Sequence, residues 1–353
     1  MTERARLMYE YHTRARIVAN PIPVCTGMPF FYWRKKMHHI MSAVIMLAAG
    51  IFLVAKGGDR FVDAASWIAR AAGIPAFIIG ATIVSVATTL PEMTVSIMAA
   101  LEGSTELAVG NAVGSVTANT GLILGIAFLF MHVTIRRNDY LVQSLLLIFS
   151  AAVICWGCQG GFLSIPAAIL LIISFLIFVY RNLSAGRKHM HNHHEATEKV
   201  DTSGKNIARN LLCFLLGAAA ILIGSRLMVD GGISLAQQLG IPERIIGVTI
   251  VAVGTSIPEL VTTLAAIRKN EHDLSAGNII GANILDLSLI LPLCSLASGK
   301  PLPVAPSAIT FDLPACLLIT LIGILPLLIR EKAGKVQGIF LLASYAAYLA
   351  VIL

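Results

Sequence analysis

Charged residues are scarce in this chain. Asp, Glu, Lys and Arg make up 13% of its 353 residues, whereas a soluble domain carries about 25%. Hydrophobic residues account for 57%, and the mean hydropathy is +0.82. This composition excludes a soluble globular protein and indicates a chain that resides in a membrane.

The alternation of polar and apolar residues that marks a membrane β-barrel is also missing. The apolar residues instead form continuous runs of about the 20 residues that a helix needs to cross a bilayer. We therefore predict an all-α membrane protein with about ten transmembrane helices. The runs cover 41–57, 75–100, 107–133, 140–156, 162–180, 207–229, 242–267, 274–297, 307–329 and 336–353.

Cysteine is sparse as well, with six residues that lie mostly inside apolar runs. There they behave as small hydrophobic side chains, so we predict neither a redox site nor a bound cofactor. The net charge of +7 is carried by the ends and the loops. It therefore indicates membrane topology and not a nucleic-acid partner, and no obligatory protein partner is evident.

The chain contains an internal duplication. When residues 73–124 are laid on 240–291 at an offset of 167, 21 of 52 positions are identical, and Gly, Pro, Asn and Glu stay in register. Each repeat holds five apolar runs. Because five is odd, the second repeat enters the membrane in the opposite orientation, which predicts a 5+5 inverted-topology repeat.

Four segments follow from this division. A basic N-terminal tail, 1–38, is predicted to be disordered or to precede the true start at Met37 or Met41. Two five-helix repeats, 39–180 and 207–353, flank a His-rich loop at 181–206. The histidines of this loop can bind Zn²⁺ or sense pH, but a solvated loop is the simpler interpretation.

The distribution of Lys and Arg predicts the orientation. Beyond the tail, most basic residues fall on one predicted face, and the other face has little beyond Arg244 and Lys300. The positive-inside rule then places the central loop in the cytoplasm and both termini outside, in a multi-pass protein of the plasma membrane. The basic tail is the one segment that opposes this assignment.

Two polar stripes interrupt the apolar runs at equivalent positions. Side chains three and four residues apart share one face of a helix, and a carboxylate at mid-membrane depth is by default functional. The first stripe comprises Ser85, Thr88, Thr89 and Glu92, and the second comprises Ala252, Thr255, Ser256 and Glu259.

Proline and glycine shape the surroundings of these stripes. Pro91 and Pro258 each remove a backbone donor next to the Glu, so the helices must bend and expose carbonyl oxygens there. Two small residues separated by three others allow two membrane helices to pack closely, and the apolar run after each stripe contains such a pair. These close-packing residues are Gly110, Gly114, Gly277 and Gly281.

The acidic residues have no basic counterpart in the sequence around them. Glu92, Glu259 and Asp286 can carry three negative charges, and no Lys or Arg occurs in 71–135, 245–267 or 271–299. Protons or mobile cations must balance them. Carboxylate, hydroxyl, amide and carbonyl oxygens select hard cations such as Ca²⁺ and Na⁺, and Asn119 can point into the same cavity.

At these residues the sequence resembles the cation/Ca²⁺ exchanger superfamily, particularly its prokaryotic sodium/calcium exchanger branch. The resemblance is carried by two pairs of motifs and implies ten helices and exchange of Ca²⁺ for Na⁺. The motifs are Ala87–Glu92 with Gly110–Asn119, and Gly254–Glu259 with Gly277–Asp286. The implied ion ligands are Thr88, Thr89, Glu92, Ser115, Asn119, Thr255, Ser256, Glu259 and Asp286, with the backbone carbonyls of Ser85 and Ala252.

Four residues depart from the family pattern. Ala87 replaces a glycine, Ser85 replaces an alanine, Val116 replaces an asparagine and Ala282 replaces a serine whose hydroxyl would bind Na⁺. The Na⁺ stoichiometry is therefore open. A proton-coupled cation exchanger remains the main alternative. An intramembrane enzyme is less favoured because the paired acids are Glu, and a channel because an inverted duplication favours alternating access.

Overall fold

The computed structural model describes residues 30–130, 133–134, 137–192, 203–240 and 252–352. Within these ranges the chain is almost wholly helical. The elements are α1 (Phe30–Ala72), α2 (Ala76–Thr88), α3 (Leu90–Leu101), α4 (Thr105–Phe130), β1 (Val133–Thr134), α5 (Arg137–Gly157), α6 (Ile165–Asn192), α7 (Gly204–Gln238), α8 (Ala252–Thr255), α9 (Ile257–Arg268), α10 (His272–Ala297), α11 (Ala308–Arg330), β2 (Lys332–Ala333) and α12 (Lys335–Ile352).

Eight helices in the described part of the chain are long and apolar enough to cross a bilayer, and α2 with α3 adds a ninth span if the pair counts as one. The remaining predicted run, 242–267, begins in 241–251, outside the described residues. The prediction of a helical membrane protein is confirmed. The helices extend past the predicted segment borders, since α1 begins at Phe30 and α6 reaches Asn192.

Helices α1 and α7 lie against each other over most of their length, in opposite directions. A Cβ built on Gly50 would lie 2.7 Å from the carbonyl oxygen of Gly224, and one on Gly57 would lie 3.0 Å from that of Gly217. Glycine is needed at these positions because the two backbones themselves are in contact. This is the close approach that small residues permit between membrane helices.

Within the described residues, the connections between spans meet in three places. Strand β1, between α4 and α5, pairs antiparallel with β2, between α11 and α12. Phe162, between α5 and α6, forms a bridge with Pro303, between α10 and α11. Near the end of α1, Arg70 forms a 3.1 Å ion pair with Glu271, in the connection between α9 and α10. These contacts fix which connections share a side of the molecule.

Helix α10 lies at the centre, with 78% of its most apolar window buried. It packs on α2 by backbone contact: a Cβ on Gly277 would overlap the carbonyl oxygen of Phe77, and one on Gly281 would lie 2.6 Å from the carbonyl oxygen of Ala81. Because α2 leads directly into the first polar stripe, this contact holds the two halves of the candidate site together.

The contact between α10 and α2 predicts a sharp dependence on side-chain size. Gly277→Ala places a methyl group against the Phe77 carbonyl, and we expect the free energy of unfolding to fall by about 1–3 kcal/mol because backbone cannot move aside. Thermal unfolding of the purified protein in detergent measures this. Gly186→Ala in α6 is the matched control, since its nearest neighbour, Ile74 Cδ1, is 3.7 Å away. Equal thermal unfolding midpoints for Gly277→Ala and Gly186→Ala would contradict the backbone contact between α10 and α2.

Candidate ion-binding site

Two helix breaks place the acidic side chains. Helices α2 and α3 are bent by 47° at Thr89, and the chain breaks at the equivalent position, Ser256, between α8 and α9. Pro91 and Pro258 occupy the first turn after each break, where a missing N–H does no harm. Each Glu therefore sits in the first turn of a helix, close to the break.

The three acidic side chains of the predicted site are fully buried. Glu92, Glu259 and Asp286 each have 0% of their surface exposed. Electrostatic repulsion acts on Glu92 from both of the others, and on Asp286 from Glu259, so the three carboxylates lie in one region. The structure thus brings together acids that are up to 194 residues apart in the sequence.

Many oxygen atoms of this region have no partner among the described residues. Both carboxylate oxygens of Glu92 and Asp286, and one of Glu259, form no hydrogen bond. The hydroxyl of Ser256 faces Glu92 without reaching hydrogen-bond geometry. Buried polar groups are normally satisfied. The other side-chain atoms of the predicted site in this condition are Ser115 Oγ and the Asn119 Oδ1 and Nδ2.

Two reciprocal hydrogen bonds join the repeats. The Thr88 hydroxyl donates to Asn278 Oδ1 at 3.1 Å, and the Thr255 hydroxyl donates to Asn111 Oδ1 at 3.3 Å. Thr88 and Thr255 correspond at the offset of 167, as do Asn111 and Asn278. Each half therefore supplies the hydroxyl of one bond and the amide of the other.

The amide nitrogens fix the orientation of both asparagines. Asn111 Nδ2 donates to Ser96 Oγ at 2.9 Å and to the Glu92 carbonyl at 3.2 Å. Asn278 Nδ2 donates to Thr262 Oγ1 at 2.9 Å. With the nitrogens used in this way, both amide oxygens face the hydroxyls of the opposite repeat.

The remaining stripe residues line the same region. The Thr89 hydroxyl donates to Glu259 Oε1 at 3.3 Å, a direct contact between the first stripe and the second. The Ser85 carbonyl accepts from the Thr89 amide at 2.9 Å, and the Thr88 hydroxyl lies 3.3 Å from it. The carbonyl predicted as a ligand is therefore already engaged by its own helix.

Asn119 and Asp286 share an unusual backbone feature. Each begins a π-helical segment, Asn119–Leu124 in α4 and Asp286–Ile290 in α10. Single turns of π-helix are rare and occur often at functional sites. Both side chains are fully buried.

The predicted close-packing glycines divide into two pairs. Gly277 and Gly281 contact the backbone of α2, as described above. No described atom lies within 4 Å of a Cβ on Gly110 or Gly114. The residues that correspond to Phe77 and Ala81 are 244 and 248, which lie outside the described residues. Packing at Gly110 and Gly114 stays a prediction, and Ala252 is described only in its backbone.

The acids are not gathered into a compact metal cluster. Among the described residues, no three His, Cys, Asp or Glu side chains are arranged to hold one metal ion. Hydroxyl, amide and backbone oxygens between the carboxylates must then supply part of any ion's coordination. This donor set suits hard cations that accept six or more oxygens in flexible geometry.

Comparison with known proteins agrees with this chemistry. The family model described as "Sodium/calcium exchanger protein" matches residues 42–183 and 209–353, which include all the acids above. The chain belongs to the sodium/calcium exchanger family. The resemblance expected from the two motif pairs is confirmed, and a transporter replaces the enzyme alternative.

Relatives of this exchanger occur in bacteria and archaea. It is 34% identical to the inner membrane protein YrbG of Escherichia coli over 89% of this chain and 97% of that protein. It is 31% identical to the sodium/calcium exchanger MaX1 of Methanosarcina acetivorans over 88% and 98%. The sodium-calcium exchanger NCX_Mj, soaked with 10 mM Na⁺ and zero Ca²⁺, superposes with a TM-score of 0.76 at 30% identity, over 88% and 99%.

These findings place the exchanger in the prokaryotic branch of the family. It is a membrane-embedded cation/Ca²⁺ antiporter, it is not an enzyme, and no cofactor is evident for it. The sequence analysis missed Asn111 and Asn278 as organising residues. Both were visible as identities at the offset of 167, but only the tertiary structure shows that they bridge the repeats.

A double-mutant cycle tests the bridge between the repeats. Thr88→Val leaves the buried Asn278 Oδ1 without its donor, and Asn278→Leu leaves the Thr88 hydroxyl only the longer contact with the Ser85 carbonyl, so each alone should lower the free energy of unfolding by about 1–3 kcal/mol. The double variant should lose less than the sum, with a coupling energy of at least about 0.5 kcal/mol. Thermal unfolding in detergent measures all four proteins. Additive losses would show that the two side chains do not interact.

Proposed function

We propose that the protein exchanges Ca²⁺ for Na⁺ across the plasma membrane, at a midplane site between its two repeats. The observation that carries the proposal is the set of three fully buried acids, Glu92, Glu259 and Asp286, surrounded by sequence without Lys or Arg. Charges in a bilayer interior are expensive unless they are paired. Transported cations supply the pairing.

The geometry supports the following ligand roles. Glu92 and Glu259, with the hydroxyls of Thr88 and Thr255, form the centre of the Ca²⁺ site. Other side-chain oxygens, listed below, surround this centre, and the family resemblance adds the backbone carbonyls of Ser85 and Ala252. Oxygens without a partner, such as those of Asp286, are already free to bind an ion. The remaining ligands are Thr89, Ser115, Asn119 and Ser256.

The contacts between connections support inverted repeats. The ion pair Arg70–Glu271 places the end of α1 and the connection 268–272 on one side. One span later, the connection 101–105 lies on the opposite side, if α2 with α3 crosses the membrane. Yet 101–105 corresponds to 268–272 at the offset of 167. Equivalent connections on opposite sides are what an inverted topology requires.

Two further contacts agree with the proposed grouping of connections into two sides. The pairing of β1 with β2 joins two connections predicted to be cytoplasmic, and the Phe162–Pro303 bridge joins two predicted to be outside. We place the loop 181–206 in the cytoplasm, between a first repeat at 39–180 and a second at 207–353. Residues 1–29 and 193–202 lie outside the described residues.

Alternating access explains exchange without leak. Each repeat opens the site to one side of the membrane, and Ca²⁺ and Na⁺ compete for the same carboxylates. An empty site leaves up to three buried charges without compensation, so closing it empty is costly. The transition then proceeds only with ions bound, which couples the two fluxes.

Ca²⁺ flux into proteoliposomes tests the proposal. An outward Na⁺ gradient should drive uptake of radiolabelled Ca²⁺, and Glu259→Gln should reduce it about 30-fold or more, since losing a charged ligand worth about 2 kcal/mol corresponds to that factor. Glu92→Gln should reduce Ca²⁺ uptake to a similar extent. Glu102→Gln is the matched control, because Glu102 caps the same helix as Glu92 but is exposed.

The driving ion distinguishes the two candidate functions. Uptake driven by a pH gradient but not by a Na⁺ gradient, with the same dependence on Glu259, would assign proton coupling and overturn the Na⁺ assignment. Na⁺-driven Ca²⁺ uptake that is unchanged in both Glu92→Gln and Glu259→Gln would overturn the assignment of these residues to the ion site. Thermal unfolding of each variant shows that the protein is folded.

Ala282 gives a further test of the Na⁺ site. This residue is fully buried and follows Gly281, which packs beside the Ser85 hydroxyl. Ala282→Ser restores the hydroxyl of the family pattern, and we expect the Na⁺ concentration for half-maximal exchange to fall about 2–10-fold, the worth of one hydrogen-bond-like contact. Ala276→Ser, at another buried position of α10, should leave the Na⁺ concentration for half-maximal exchange unchanged. Equal effects of both variants would contradict a Na⁺ ligand at 282.

A further inference from the structure

A polar cleft lies between α1 and α7, away from the carboxylates of the candidate ion site. It measures about 500 Å³ and opens beyond the glycine contacts of these helices. Next to it, Phe61 and Phe214 stack with ring centroids 4.5 Å apart and close the space between the helices. The residues that line it are Arg60, Asp63, Ala64, Arg209, Asn210 and Cys213.

Two guanidinium groups dominate the charge of this cleft. Within the described residues, neither Arg60 nor Arg209 forms an ion pair, whereas the single acid of the lining, Asp63, is paired with Lys269 at 2.5 Å. One arginine comes from each helix, so the cleft presents two unpaired positive charges from opposite walls. Arginine pairs bind phosphate groups through several hydrogen bonds at once.

Both arginines of the cleft lie close to the end of an apolar run in the sequence. The apolar run of α1 ends at residue 57, three residues before Arg60, and that of α7 begins at 207, two residues before Arg209. Arginines at such positions extend their charged ends to the headgroup region. The proposed orientation makes this the cytoplasmic leaflet, where basic pockets between helices bind anionic lipids.

Asn210 adds a polar contact of another kind. Its Nδ2 donates to the Asn206 carbonyl of the same helix at 2.9 Å, and among the described residues its Oδ1 accepts no hydrogen bond and remains an acceptor. A lipid hydroxyl group next to the phosphate can donate a hydrogen bond to the Asn210 Oδ1. The lining therefore suits a phosphodiester that carries a hydroxylated headgroup, such as that of phosphatidylglycerol.

We infer that this cleft binds the phosphodiester headgroup of an anionic phospholipid, held by Arg60 and Arg209. The bound lipid bridges α1 and α7, because each helix supplies one arginine. A lipid that binds the folded protein and not the unfolded chain stabilises the folded protein by mass action. The inference concerns a different site from the carboxylates and holds whichever ion drives transport.

Native mass spectrometry of the full-length protein in mixed micelles tests the inference. The protein should retain phosphatidylglycerol in preference to phosphatidylcholine, and the double variant Arg60→Gln, Arg209→Gln should lower this retention about tenfold, corresponding to a loss of about 1.4 kcal/mol. Arg330→Gln is the matched control, since Arg330 is exposed, lies outside the cleft and is predicted to face the same leaflet.

Thermal unfolding supplies the second measurement and keeps the test independent of folding. Phosphatidylglycerol should raise the midpoint of the unaltered protein and of Arg330→Gln, but not that of the double glutamine variant. The variant Arg60→Lys, Arg209→Lys keeps the charge and should recover part of the shift.

Two outcomes would overturn the inference. Retention by the glutamine variant equal to that of Arg330→Gln would show that the cleft does not bind lipid. Inorganic phosphate or glycerol 3-phosphate that raises the midpoint as much as phosphatidylglycerol does would assign the cleft to a soluble phosphate compound.

Discussion

Uncompensated negative charge at the centre of a helix bundle is the constraint on which this structure depends. Glu92, Glu259 and Asp286 are fully buried, and the stretches of sequence that carry them, 71–135, 245–267 and 271–299, contain no Lys or Arg. Such a centre persists in a bilayer only with cations or protons bound. The helix breaks lie beside the prolines of this region, and π-helical turns begin at Asn119 and Asp286.

The neutral polar groups hold this centre in shape. Asn111 and Asn278 commit their nitrogens to their own repeats and their oxygens to Thr88 and Thr255 of the opposite repeats. The hydroxyls can turn from these amides towards an ion at little cost, since one hydrogen bond replaces another contact of similar strength. In the site that we propose, the same bridge joins the halves and supplies hydroxyl ligands to the ion.

The helix pair α1 and α7 stands apart from this centre in its chemistry. Glycines bring the two backbones together, ion pairs from Asp59 and Asp63 tie α1 to the α9–α10 connection, and an arginine-lined cleft opens at the membrane edge. Packing between membrane helices gains little from hydrophobicity because lipid is equally apolar. Close contact, charge and lipid together then determine how firmly the pair is held.

The sequence by itself determined the helical membrane class, the duplication and the family, because apolar run length, Gly, Pro, Asn and Glu in register and the paired motifs are local patterns. It also predicted the acids of the site. Only the tertiary structure decided that Thr88 meets Asn278, that the Ser85 carbonyl is engaged by its own helix and that Arg60 and Arg209 face one cleft. The reason is physical: periodicity fixes which face of a helix is polar and spacing marks glycines that can pack closely, whereas the helix that each glycine contacts, with its rotation and tilt, is set only by tertiary packing.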